Sequence, residues 1–372
     1  MTFKADWEEC KKRFDAFWEG EILDRCCIGV MAPRANPLPA PPEPARPATL
    51  EGRWTDEKAI HAILLRGCYG AFFGGECFPG FFPNLGPGVL SAFLGNPYQL
   101  VEDTVWFDQD PMLRTWEDAA GIRLQPESPM WKAARRMTSY YAALSAGEYC
   151  VAMTDLGGNL DVAAALRGTE TLLLDLYDHP REVEKLSSAI NRAWFESYDE
   201  LHGIIAAHAE GMSTWLPLWC RKRYYTLQCD FCAMISPSQF DRFVRPGLEE
   251  QAAHVDYSIY HLDGPGQLCH LDSLLDIERL TGIQWVPGAG APGEAHPSWL
   301  PVYRRIQAKG KNLSLSIADP RAIRTMLAEL SPEGLFLGTA CAAEADARRL
   351  LDDARSWCRM PSKRGNQTRR RS

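Results

Sequence analysis

His261 and Asp263 stand two residues apart in Tyr260-His261-Leu262-Asp263-Gly264-Pro265-Gly266, where an apolar run gives way to a glycine-rich loop. The preceding Val255-Asp256-Tyr257-Ser258-Ile259-Tyr260 is β-branched and aromatic, the composition of a pleated, buried strand. Side chains two apart on a strand face the same way, so the imidazole and the carboxylate emerge together and Leu262 turns into the packing. Such a pair serves as two metal ligands, as an acid/base couple, or as a structural hydrogen bond. Asp155, after the apolar run Tyr149 to Thr154, and Asp230, in Gln228-Cys229-Asp230-Phe231-Cys232, are the carboxylates expected beside His261. Each would equally serve as a helix cap or turn residue.

The elements that must position these groups alternate. Apolar runs ending in small or polar residues recur at 26–31, 149–154, 212–219, 255–261, 282–287, 312–317 and 335–340, and an eighth strand is expected between Cys68 and Phe82. Amphipathic stretches at 182–206, 238–254, 268–280, 299–309, 320–330 and 343–358 read as helices. Eight alternating units predict an α/β chain folded as a (β/α)8 TIM barrel with an N-terminal helical extension, with its chemistry at the C-terminal strand ends. An open doubly wound sheet is disfavoured because no strand is followed by Gly-x-Gly-x-x-Gly. Residues 1–358 read as one barrel domain, and 359–372, polar, basic and without apolar periodicity, as a disordered tail.

Composition narrows the function classes. At 372 residues and 46% hydrophobic content, the chain can bury a large core. No apolar run reaches the ~18 residues of a membrane span and no charged-then-apolar leader opens the chain, so a soluble cytoplasmic protein is expected. Its 12 cysteines are scattered among apolar runs and read as reduced, buried thiols, with a few left for metal work. The formal charge is −8, and setting aside the six basic residues of 359–372 leaves −14, which argues against a nucleic-acid partner. The Pro- and Ala-rich stretch 33–47 reads as a loop over one end of the barrel.

Two motifs then carry a resemblance. Arg13-Phe14-Asp15-Ala16-Phe17-Trp18-Glu19-Gly20-Glu21, followed by Leu23-Asp24-Arg25 and a first strand, resembles the opening of the uroporphyrinogen decarboxylase superfamily. Ile235-Ser236-Pro237-Ser238-Gln239-Phe240-Asp241-Arg242-Phe243-Val244-Arg245-Pro246 resembles that family's loop and helix after a central strand. The likeness runs in order from about residue 7 to 357. It implies a (β/α)8 barrel with one of two chemistries: cofactor-free decarboxylation of uroporphyrinogen, or methyl transfer with a corrinoid, often with zinc held by a His-x-Cys-Gly strand end and a later cysteine.

The methyltransferase branch is the better fit. His261-Leu262-Asp263-Gly264 stands where that branch has His-x-Cys-Gly, with aspartate replacing cysteine, and Cys341 in Gly338-Thr339-Ala340-Cys341 matches the later cysteine. The resemblance therefore implies zinc held by His261, Cys341 and Asp263, or by Cys229 in Asp263's place; one thiolate fewer makes the set harder and less zinc-selective. The decarboxylase branch needs arginines after the first strand, and Gly29-Val30-Met31-Ala32-Pro33-Arg34 offers only Arg34, while Arg221-Lys222-Arg223 reads as a solvated surface. Trp219, Tyr224, Tyr225 and Trp285, at or near expected strand ends, are the aromatic wall assigned to cofactor docking, whereas Phe81 and Trp215 read as helix-packing residues.

The expected function is thus a zinc-assisted, corrinoid-linked methyltransferase acting between a small methyl donor or acceptor and a corrinoid protein, assembled as a homodimer. The alternative is a metal-free lyase in which Asp155 or Asp230 moves protons on a small carboxylated or tetrapyrrole-like substrate.

Overall fold

A computed structural model describes residues 1–358, so the basic segment 359–372 lies outside the described residues. Eleven strands occur in chain order: β1 (Cys27–Pro33), β2 (Ala71–Gly75), β3 (Gly80–Phe81), β4 (Gln99–Leu100), β5 (Val105–Trp106), β6 (Cys150–Val151), β7 (Tyr224–Gln228), β8 (Tyr257–Asp263), β9 (Gly282–Val286), β10 (Asn312–Ser316) and β11 (Leu335–Ala340). Seven of them form one sheet in the order β2-β1-β11-β10-β9-β8-β7. Every neighbouring pair in it is parallel except β1 with β2. A separate parallel pair, β3 with β6, is extended by a bridge from Ala152 to Ser213, and β4 pairs antiparallel with β5.

Six of the seven strands expected at fixed positions are present, and one is displaced. Residues 212–219 make only isolated bridges, Ala152 to Ser213 and Met212 to Cys220. There the hydroxyls of Ser213 and Thr214 bond to the carbonyl of Leu216, and the amide of Leu218 bonds to the same carbonyl, which coils the chain instead of extending it. The extended segment is β7, the Tyr-Tyr-Thr-Leu-Gln that follows. The strand expected between Cys68 and Phe82 resolves into the end of the helix Glu57–Gly70, then antiparallel β2, then β3.

Helices cross over between the parallel strands, as parallel pairing requires. Between β7 and β8 the crossover begins with a capping box: Ser236 Oγ accepts from the Gln239 amide and Gln239 Oε1 accepts from the Ser236 amide, with Pro237 in the first turn. This local chemistry accounts for the Ile235–Pro246 motif. At the end of β8, Gly264 adopts φ +78° and its amide donates to the Val286 carbonyl at 2.8 Å, turning the chain out of the sheet.

The N-terminal helix Trp7–Trp18 lies across the starts of β7, β8, β10 and β11. Trp18 packs on Tyr224 and Tyr257, Phe14 on Phe336, and Asn312 Nδ2 donates to the Phe17 carbonyl at 2.7 Å. A buried ion cluster holds the start of β1: Glu76 accepts from the Ile28 amide at 2.7 Å and is clamped by the Arg25 and Arg13 guanidiniums. Removing one member would strand a buried charge at a cost of about 3–5 kcal/mol. With the N-terminal strand ends closed in this way, the C-terminal ends are left to face a ligand. No helix among the described residues is long and apolar enough to cross a membrane.

Candidate functional site

Three polar side chains share one rung of the sheet. Gln228 of β7 pairs with His261 of β8, which pairs with Gln284 of β9. His261 Nδ1 lies 2.8 Å from Gln284 Oε1. A carbonyl oxygen only accepts, so Nδ1 is the donor in this bond. Two residues on, Asp263 follows on the same face, while the intervening Leu262 and the preceding Tyr260 are fully buried. The imidazole and carboxylate thus emerge side by side.

Asp230 completes a cluster. One ligating atom each from Asp230, His261 and Asp263 falls within 4.8 Å of the others. Asp230 follows β7, and its backbone is fixed by Asp161, whose carboxylate accepts from the Asp230 amide at 3.1 Å and the Phe231 amide at 2.7 Å. Its side chain accepts from Gln267 Nε2 at 3.4 Å, and Gln267 Oε1 in turn accepts from the Tyr260 hydroxyl. Burial raises the Asp230 carboxyl above the usual range, partly offset by His261, while Asp263 adds to the rise.

Asp155 lies on the neighbouring segment. Its Oδ1 accepts from Gln228 Nε2 and from the Gly157 amide, both at 2.9 Å, which ties it to the same rung, and the Gly88 backbone also donates to the carboxylate. Burial pushes its carboxyl up to about 6. Asp161 is likewise raised by burial and by the neighbouring Asp230 charge. The loop fits tightly, because a Cβ on Gly158 would collide with the Gln228 carbonyl.

The two cysteines expected as ligands are not in the cluster. Cys229 is buried, its thiol bonded to Cys232 and pushed well above its usual pKa by burial. Cys341 is buried past the end of β11, its amide bonded to the Met31 carbonyl and its thiol raised by burial and by Asp346. Among the described residues, the set that could hold a metal is therefore one imidazole and two carboxylates, a nitrogen and oxygen donor set that suits divalent ions of borderline to hard character and requires no thiolate.

The aromatic wall expected from the sequence lies elsewhere. Trp219 packs on Trp7 and Phe14 of the N-terminal helix, Tyr224 on Trp18, Tyr225 on Trp194 and Tyr198, and Trp285 on Trp299; all four are 2% exposed or less. None offers a rim. Tyr225 instead supports the site from behind, its hydroxyl accepting from the Leu156 amide at 2.7 Å. The expected basic groups are also engaged: Arg34 donates to the Ala71 and Phe3 carbonyls, Arg221 pairs with Asp15 and Glu210, and Arg223 with Asp199.

Trp215 and Phe81, expected to pack helices, line open space instead. Trp215 meets the His261 ring edge to face at a centroid distance of 5.0 Å. It also lines a cavity of about 760 Å³ walled by Phe73, Phe78, Phe81, Phe82 and Phe336. The cavity and the Asp-His-Asp cluster are separate spaces that meet at this indole. Gln284 and Gln228 carried a signal too: each is a polar residue in a largely apolar strand, Gln284 in the middle of β9 and Gln228 at the end of β7, in register with His261.

No protein-family model matches the chain, and no curated protein sequence matches it. Among solved structures, the fold is similar to that of a methyltransferase from Methanosarcina mazei, with a TM-score of 0.60 and 12% sequence identity over 93% of this chain and 98% of that one. At that identity the likeness speaks for a shared α/β architecture.

Proposed function

We propose that the protein is a metal-assisted methyltransferase that exchanges a methyl group between a small substrate and a corrinoid cobalt, working as a homodimer with a corrinoid protein as partner. The observation that carries this reading is the convergence of Asp230, His261 and Asp263 at the C-terminal strand ends of a fold similar to a methyltransferase over nearly its whole length. We further propose that the β3–β6 pair and the bridge at Ser213 close the gap between the β2 and β7 edges, making the sheet a (β/α)8 barrel, with the cluster at its mouth.

Asp230, His261 and Asp263 would hold a divalent ion, and zinc is compatible with their donor set. Bound there, the ion supplies Lewis acidity, favouring the thiolate form of a thiol acceptor or polarising the heteroatom of a methyl donor. The protein's own groups do the rest. Gln284 accepts from His261 Nδ1 and fixes the ring in place, leaving Nε2 as the nitrogen that would bind an ion. Asp155, with its carboxyl near 6, takes or returns a proton close to neutral pH. Trp215 covers the imidazole and limits water at that side.

The metal-free lyase reading draws on the raised Asp155 carboxyl, but a carboxylated substrate needs cationic partners, and among the described residues no Lys, Arg or His lines the cavity. The test is anaerobic incubation with methylcobalamin and a thiol or folate acceptor, and with cob(I)alamin and methylated donors. Conversion of the methyl-cobalt spectrum in either direction supports the proposal, and no change in both sets refutes it.

A further inference from the structure

The cavity beside Trp215 opens between the ends of β1, β10 and β11 and the helix Glu57–Gly70, and its volume of about 760 Å³ sits within the ~300–1,000 Å³ usual for small-molecule sites. Its wall is mainly aromatic and aliphatic. The polar groups in that wall are largely spent on the protein itself. Thr339 Oγ1 donates to the Ile317 carbonyl at 2.6 Å, Thr214 Oγ1 bonds Thr226 at 2.7 Å, Ser213 Oγ donates to the Leu216 carbonyl, and Cys68 Sγ to the Leu64 carbonyl. The threonines can therefore turn their methyl groups to a ligand.

Charge in the wall is one-sided. Glu76 is neutralised by Arg25 and Arg13, and Glu294 has no cationic partner among the described residues. Among the described residues, no basic side chain lines the space. An anionic ligand entering it would lose its hydration with nothing to replace it, whereas a neutral ring gains from burial and a cation gains from ring faces and from Glu294.

We infer that this cavity is the substrate chamber, that it takes a ring-sized ligand without an anionic group, and that Trp215 is the partition past which the ligand's reactive end meets His261. The ligand's charge class follows from the wall alone. That its reactive end is a methyl on oxygen or nitrogen rests on the methyltransferase reading. Aryl methyl ethers and aromatic ammonium compounds share this chemistry.

Calorimetric titration of the full-length protein, without corrinoid, tests the chamber directly, using anisole, phenyltrimethylammonium and 4-methoxybenzoate as neutral, cationic and anionic probes. The variant is Gly67→Trp, because Gly67 is an exposed helical glycine lining the cavity whose added Cβ would meet nothing within 4 Å. Anisole or phenyltrimethylammonium should bind at least tenfold more tightly than 4-methoxybenzoate, and Gly67→Trp should weaken that binding at least tenfold while leaving divalent-metal affinity unchanged. Binding of 4-methoxybenzoate as tight as that of the other two, binding untouched by Gly67→Trp, or no binding of any probe would overturn the inference. Because no methyl transfer is measured, failure here leaves the proposed reaction standing, and failure of the reaction leaves the chamber standing.

Discussion

The 2.8 Å hydrogen bond from His261 Nδ1 to Gln284 Oε1 fixes Nδ1 as a donor, because the amide oxygen can only accept. The strand register puts the two residues directly opposite each other on β8 and β9, so the bond is built into the sheet. It holds the ring in place without adding a charge of its own.

Loss of that acceptor should therefore be felt in metal binding. Gln284→Ala should weaken divalent-metal affinity by about 10–100-fold with the fold intact, and Gln284→Glu, which restores an acceptor, should recover it. Titration with Co²⁺ or Zn²⁺ measures both. Equal affinity in wild type and Gln284→Ala would show that the bond does not orient the ligand.

The thiols should be dispensable. Cys341 lies outside the Asp230–His261–Asp263 cluster, so Cys341→Ser should keep full metal stoichiometry and the labelling rate of Cys341 should not change on chelation. Buried and raised in pKa, it should label slowly in either state. A chelator-dependent rise in labelling would return the thiolate to the ligand set.

Asp155 should destabilise the protein at neutral pH. Its carboxyl titrates near 6 in the folded state and near 4 when unfolded, so over that window the folded state holds more protons and stability falls as pH rises. Asp155→Asn keeps an oxygen to accept from Gln228 and Gly157 and removes the buried charge. Thermal unfolding with chelator present should show the variant more stable by about 1–3 kcal/mol at pH 8 and nearly equal to wild type at pH 4. A difference independent of pH would contradict the assignment.

Gly158 should tolerate no side chain. A Cβ there meets the Gln228 carbonyl, so Gly158→Ala should cost about 1–3 kcal/mol and shift the loop that carries Asp155 and Asp161. Chemical denaturation checks the first effect. Reduced metal affinity checks the second, because Asp161 anchors the Asp230 backbone.

Much of this site was readable from strand parity. Alternation alone put His261 and Asp263 on one face and Leu262 on the other, and it would have found Gln284 had the neighbouring strand's phase been followed. Trp285, one residue away, is opposite Leu262 and so faces the helices, which is why an aromatic near a strand end proved to be core. Tyr225 went the same way. The misplacement of β7 had a different cause: Arg221-Lys222-Arg223 reads as a loop and hides a five-residue strand behind it, whereas the apolar 212–219 is coiled by side-chain bonds to its own carbonyls. The meeting of Asp230 with His261 depends on the register of β7 against β8 and on Asp161, 69 residues earlier, and no local pattern encodes it.

The most direct measurement is the anaerobic visible spectrum of methylcobalamin mixed with wild-type protein, divalent metal and each candidate acceptor, run beside His261→Ala. The expected result is time-dependent loss of the methyl-cobalt bands with wild type and at least a hundredfold slower change with His261→Ala. An equal rate in both proteins would contradict methyl transfer at the Asp230–His261–Asp263 cluster, as would unchanged spectra in this direction and in reverse with methylated donors.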